Sequence, residues 1–275
     1  MIATVHGSDL YYEVHGDAGD PVALLHGSWV DHHSWDLVVP GFSRALVTLT
    51  YDRRGHGESR GPSRANPVRD DAEDLAGLLE AADLYPAHLV AHSYGGAVAL
   101  RLAADRPEMV RSVTIHEPTF VGLLADDPAG AAEAERLVEG VRGLQSLVRA
   151  GARERAASTF VDQFSSEPGA WQRLPSGVRA TFLANADRWV EEFDDPDAFA
   201  PDRAACRELL IPALLTVGGQ SPRFLYRITD ALAGLLRNHR FLSIPDVGHA
   251  PHLVQPDQYV GIVGSFLLER NVPST

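Results

Sequence analysis

The sequence predicts an α/β fold: a mostly parallel central sheet flanked by helices, with one inserted helical cap. Three observations carry this. Short apolar runs alternate with helix-patterned stretches from residue 22 to residue 115, the alternation breaks between 119 and 206, and it resumes at 211. Such alternation builds parallel strands, because a parallel connection needs a long return path that a helix supplies. The expected core is therefore residues 1–118 and 207–275, and the expected cap is residues 119–206.

Residues 4–6 and 10–14 are β-patterned and flank Gly7-Ser8-Asp9, which predicts an antiparallel hairpin. Val22-Ala23-Leu24-Leu25 is an uninterrupted apolar run of the kind buried on both sheet faces, and it ends in His26-Gly27-Ser28-Trp29. A glycine turn at the C-terminal end of such a strand is where open α/β sheets place ligands. Residues 35–42 read as a helix and 45–51 as the next strand, which runs into the polar turn from Asp52 to Ser59. Val68, Ala72, Leu75, Leu78 and Leu79 share one face of a helix over 68–82.

Residues 87–91 have strand composition and 97–106 helical spacing, and between them lies Val90-Ala91-His92-Ser93-Tyr94-Gly95-Gly96. Ser93 thus falls at a strand-to-helix turn. Such a turn strains the backbone at the serine, and small residues two places to either side, Ala91 and Gly95, leave room for it. The pattern is that of a nucleophile elbow, G-x-S-x-G, with alanine at its first position. The helix behind it aims its N-terminal amides at any oxyanion that forms there. On these residues alone, an ordinary strand-helix loop with a solvated serine is the alternative.

Residues 110–115 form the next strand, which closes at His116-Glu117-Pro118. Cap segments carry Phe160, Phe164, Trp171, Phe182, Trp189 and Phe193, either as the cap's own core or as pocket wall, and the charged stretch 131–149 reads as a solvated helix. Strand 211–217, helix 222–236, strand 240–244 and a final helix 257–268 complete the core. The insertion is expected over the C-terminal edge of the sheet, the edge that carries Ser93.

Composition limits the partners. The chain has 275 residues, 45% of them hydrophobic and 22% charged, as in an ordinary globular protein. A formal net charge of −13 argues against nucleic acid or an anionic membrane surface, which need an excess of Lys and Arg; a neutral or apolar small molecule fits better. Cys206 is the only cysteine, so no intrachain disulfide is expected and the residue reads as packing. Neither a secretory signal pattern nor an apolar run near the ~18 residues of a membrane span is present, so a cytoplasmic location is the default expectation; a monomer or homodimer is expected, the sequence not choosing between them. His32-His33 are too close in sequence to form a metal pair by themselves, and no metal is expected.

The hairpin, His26-Gly27-Ser28, Gly55-His56-Gly57-Glu58-Ser59, the serine elbow and Gly248-His249 before the last helix together resemble the α/β-hydrolase superfamily. The resemblance covers nearly the whole chain outside the cap. It implies that Ser93 is a nucleophile, which needs a base within hydrogen-bond reach because a neutral hydroxyl attacks a carbonyl poorly. The superfamily places that base after the last strand, where Val247-Gly248-His249 favours His249 over His252. In much of the superfamily the acid follows the preceding strand, but here Val217-Gly218-Gly219-Gln220-Ser221-Pro222 holds no Asp or Glu. Glu117 closes the strand after the elbow helix, and the zearalenone-type lactone hydrolases and one type of haloalkane dehalogenase are similar in placing a glutamate acid there. The order Ser93, Glu117, His249 also suits the fold. The alternatives are Gln220 or Ser221 as uncharged acceptors, with Glu117 paired to an arginine near the cap hinge.

By the same resemblance the oxyanion donors are the backbone amides of Ser28 and Tyr94, each typically worth about 2.7 to 4 kcal/mol. The loop from Arg53 to Ser59 resembles the superfamily's structural loop and carries no expected chemistry. His116-Glu117-Pro118-Thr119 and Arg188-Trp189-Val190 are similar to the zearalenone-type group; Trp29 and Trp189 are the candidate substrate contacts. The expected function is hydrolysis of a carboxylic ester or lactone of a small, largely apolar substrate through an acyl-enzyme, with no cofactor. Two alternatives stay open: a cofactor-independent lyase or perhydrolase-like enzyme, and a ligand-binding receptor.

Overall fold

The computed structural model describes residues 1–62, 67–126, 128–165 and 169–269. Eight strands form one sheet: β1 (Ile2–Val5), β2 (Ser8–His15), β3 (Pro21–Leu25), β4 (Val47–Tyr51), β5 (Ala87–His92), β6 (Val110–His116), β7 (Ala213–Gly218) and β8 (His239–Ile244). Their spatial order is β1-β2-β4-β3-β5-β6-β7-β8. β1 pairs antiparallel with β2 and β2 with β4, and every other pairing is parallel. The expected α/β architecture, with a mostly parallel sheet, flanking helices and an inserted helical region, is the one observed.

Alternation along the strands sorts side chains to two faces. Ala23, Leu25, Leu89, Ala91, Val113 and Ile115 join the apolar cluster containing α2 (Pro67–Ala81) and α3 (Tyr94–Asp105). Val22, Leu24, Val90 and Leu214 join the opposite cluster, with α1 (Val39–Phe42) and, near the C-terminus, the helix Pro256–Leu268. Burial on both faces explains why the central strands read as continuous apolar runs.

Three local expectations shift. The hairpin turns at His6 and Gly7, both with positive φ, while Ser8 and Asp9 already belong to β2; a two-residue loop of this hand matches the strand twist. The helix expected over 35–42 is a 3₁₀ turn, His32–Trp35, followed by the short α1. Pro40 forbids a longer helix, because its ring would meet the carbonyl four residues back. α3 begins at Tyr94, directly after the serine, and Gly95-Gly96, poor helix formers, hide that start from a propensity reading.

The inserted region contains α4 (Pro128–Arg149), α5 (Arg153–Ser165), α6 (Ala170–Arg173), α7 (Ser176–Ala184), α8 (Ala186–Glu192) and α9 (Arg203–Glu208). α4 corrects the expectation of a solvated helix: Leu144 and Val148 are buried, and Leu137 and Val141 pack against the main core. α10 (Arg223–Ala233), α11 (Pro251–Val254) and α12 (Pro256–Leu268) return to the core. Cys206 is buried, and burial pushes its thiol up to about 12, as suits a packing residue. Among the described residues no helix is long and apolar enough to cross a membrane.

Candidate active site

Ser93 stands between β5 and α3 with φ 53° and ψ −118°, a conformation that costs a non-glycine residue about 1–3 kcal/mol. Packing enforces it. A Cβ on Gly95 would lie 2.5 Å from Leu25 O and 2.8 Å from His26 O, so this position accepts only glycine. Ala91 is fully buried with its methyl accommodated, and its place in the motif therefore tolerates alanine. No side-chain hydrogen bond caps the N-terminus of α3, and the Gly96 amide in its first turn donates to Ser93 O at 2.9 Å.

Glu117 follows β6, also at positive φ (48°), and is fully buried. Its Oε2 accepts a hydrogen bond from His249 Nδ1 at 2.6 Å, and its Oε1 accepts one from the Gly218 amide at 2.7 Å. β7 thus ends without a carboxylate of its own, yet its last residue binds the carboxylate that follows β6. A Cβ on Gly218 would come within 2.5 Å of Gly248 O, so glycine there also lets the His249 loop approach. Burial by itself would raise the Glu117 carboxyl; His116 beside it and the hydrogen bond and charge of His249 outweigh burial and bring it down to about 2. An ionised Glu117 can only accept, so His249 Nδ1 carries the proton of that hydrogen bond.

Three further histidines surround this pair. His92 Nε2 donates to His249 O at 2.7 Å, and its ring centroid lies 4.5 Å from that of His249. His116 contacts Thr216 Oγ1 at 2.9 Å. His252, the competitor to His249 in sequence, is buried against Trp35 with ring centroids 4.5 Å apart. Burial pushes all three imidazoles down, His116 to about 4 and His252 to about 3, so they are neutral near pH 7.

Ser28, Ser93 and Glu117 line one cleft. Its walls are apolar: Phe160, Phe164, Trp189, Phe193, Phe199 and Phe224, with Leu137, Val141 and Leu144 of α4. Among the described residues lining it there is no Lys, Arg or His. The 137, 141, 144 spacing is a helical apolar stripe, a signal in the sequence that its charged neighbours obscured. Trp189 belongs to the wall. Trp29, at φ 67°, lies behind it, stacked at 4.6 Å between ring centroids, and is not among the lining residues.

The Ser28 hydroxyl turns from the cleft to the cap, donating to Glu192 Oε2 at 2.6 Å. Glu192 also accepts from Arg53 Nη2 at 2.5 Å, an ion pair with both side chains buried. This pair was missed in the sequence, where the loop after β4 reads as structural only. Asp31, His32 and His33 bring one potential ligand atom each within 4.8 Å of one another, outside the cleft, with His32 Nδ1 2.7 Å from Asp52 Oδ1.

Comparison with known proteins agrees with the fold. Over 269 residues the chain is 28% identical to the 2-hydroxymuconate semialdehyde hydrolase of Pseudomonas sp. strain CF600, covering 92% of this chain and 89% of that protein. Among solved structures, the enol-lactonase from Burkholderia xenovorans LB400 superposes with a TM-score of 0.77 at 19% identity, covering 98% of this chain and 100% of that one. A thermophilic esterase from Thermogutta terrifontis gives 0.77 at 23% identity, with 97% of each chain covered. The alpha/beta hydrolase fold family matches residues 20–256, and the chain belongs to that family.

Proposed function

We propose that the protein is a serine hydrolase that cleaves a carboxylic ester or lactone of a small, largely apolar substrate through an acyl-enzyme. The observation that carries this reading is the 2.6 Å contact between His249 Nδ1 and a buried, ionised Glu117, at the same sheet edge as a serine held in a strained elbow. In this reading His249 Nε2 takes the Ser93 proton as Oγ attacks the carbonyl carbon. The Ser28 and Tyr94 amides hold the oxyanion, and Glu117 stabilises the imidazolium without taking its proton. The imidazolium then protonates the leaving oxygen, and a water deprotonated by His249 releases the acid.

The cleft supports the substrate class. Its aromatic and aliphatic walls bury an apolar acyl or ring portion, and the absence of a cation among its described lining residues disfavours a carboxylated substrate. Relatives named as a semialdehyde hydrolase, an enol-lactonase and an esterase are in keeping with hydrolysis. We assign residues 119–206 to the cap, and Trp189 to the substrate wall as in the zearalenone-type lactone hydrolases. Trp29 then acts on substrate only through Trp189.

The reading is tested with p-nitrophenyl esters of increasing chain length beside several lactones, each with and without an added carboxylate. Turnover of neutral substrates that is lost in Ser93→Ala supports it. Activity confined to carboxylated substrates, or surviving Ser93→Ala, contradicts it.

A further inference from the structure

We propose that Arg53 and Glu192 are a positioning pair that sets the Ser28 amide as an oxyanion donor and ties that setting to the seated cap. The proposal rests on the serine-hydrolase reading above.

The geometry centres on one peptide plane. Gly27 O, the carbonyl of the peptide whose N–H belongs to Ser28, accepts from Arg53 Nη2 at 3.0 Å and from His26 Nδ1 at 2.8 Å. In a trans peptide the C=O and N–H point in opposite directions. Two donors gripping the oxygen therefore turn the Ser28 N–H away from Arg53, and Ser28 lines the cleft beside Ser93. Arg53 holds the preceding residue as well: its Nε donates to His26 O at 3.3 Å, and its backbone amide donates to His26 Nε2 at 3.0 Å. Its guanidinium also lies 4.6 Å over the ring of Tyr94, the residue bearing the second expected donor.

A fully buried guanidinium needs counter-charge. The core supplies Asp71, at 2.8 Å, and the cap supplies Glu192, from the end of α8. The other oxygen of Glu192 accepts the Ser28 hydroxyl, and His56 Nε2 lies 3.3 Å from its Oε1. One carboxylate of the cap thus grips the oxyanion turn twice, through Arg53 and through the Ser28 side chain. A buried ion pair is poor support for stability compared with apolar packing of the same volume, so fixing one arrangement is the better reason for it to be there.

The test uses a p-nitrophenyl ester and its thiono analogue, in which sulfur replaces the carbonyl oxygen. Sulfur is larger and a weaker acceptor, so a site with well-aimed donors prefers the oxoester, and misaimed donors lose that preference. Loss of a single donor of this kind lowers kcat about 10²- to 10³-fold. For Glu192→Gln and for Ser28→Ala we expect kcat on the oxoester to fall about 10- to 100-fold, KM to change less than about threefold, and the oxo/thiono ratio to fall about tenfold. Arg53→Lys should lower both the ratio and kcat, because a lysine cannot reach Gly27 O, His26 O and Glu192 together. Ser28→Ala removes no charge, so it reports even if Glu192→Gln fails to fold. Variants that slow both substrates equally and keep the wild-type ratio overturn the positioning pair alone. A wild-type protein with no esterase turnover and no reaction with a fluorophosphonate overturns the serine-hydrolase reading first.

Discussion

Glu117 combines two properties that its proposed role as catalytic acid requires: it is out of water, and it is held ionised. Its carboxyl is brought down to about 2 although burial opposes this, because His116 beside it and the hydrogen bond and charge of His249 favour the charged form. Glu117→Gln keeps the size of the side chain but offers no charge to an imidazolium and admits the wrong tautomer of His249. We expect kcat to fall about 10³- to 10⁴-fold, whereas Ser221→Ala should cost less than about tenfold in the same steady-state assay. The reverse ranking would move the acid to the end of β7. In the sequence Ser93 stands out as a candidate through the elbow pattern, Glu117 and His249 through the superfamily resemblance; of Gly95 and Gly248, only Gly95 is required by close backbone contacts. Ala91 needed the structure, which shows that the first elbow position has room for a methyl while the last has none.

The elements were legible where apolar periodicity was clean, as in β3, β5 and α2, and less so where a glycine pair or a proline decided the boundary. α4 shows why the cap was harder to read. Its charged residues dominate the sequence pattern, yet Leu137, Val141 and Leu144 form one wall of the cleft. Val141→Trp should fill that wall: KM for long acyl chains rises about tenfold or more while p-nitrophenyl acetate is little affected, as a chain-length series would show. A second contact joins two elements, since Trp29 of the turn after β3 stacks on Trp189 of α8 and on Phe182 of α7. Trp29→Ala should destabilise the protein by about 3–5 kcal/mol, measured by urea denaturation, because it empties a fully buried ring site. A cost under about 1 kcal/mol would mean that the cap is not anchored there.

The whole molecule places its charges so that acid acts on it in two stages. His26, His92, His116 and His252 all titrate below the ordinary 6.5 because burial disfavours the imidazolium. In the unfolded chain they take up protons near 6.5; in the folded chain they do so only lower, His116 at about 4 and His252 at about 3. Their stabilisation is therefore complete above pH 6.5 and is lost as the pH falls toward 4, by up to about 1.4 kcal/mol per pH unit for each histidine. Glu117 and Glu192, both brought down to about 2 from 4.5, act later: their stabilisation is present above 4.5 and is lost between 4.5 and 2. Urea midpoints at pH 8, 6 and 5 should show a decline that begins below 6.5; a flat profile down to pH 5 would contradict the burial of these imidazoles.

Long-range pairs were the least legible feature at this scale. Nothing local in the polar loop after β4 reveals that Arg53 meets a glutamate on a cap helix, since tertiary packing alone brings Glu192 to it. The most direct measurement on the whole protein is its intact mass, with peptide mapping, after treatment with a fluorophosphonate. We expect one phosphonyl adduct per chain, on the peptide bearing Ser93, with its formation slowed strongly in Glu117→Gln and abolished in Ser93→Ala. No adduct on the wild-type protein, or an equal adduct after Ser93→Ala, would contradict a nucleophilic Ser93.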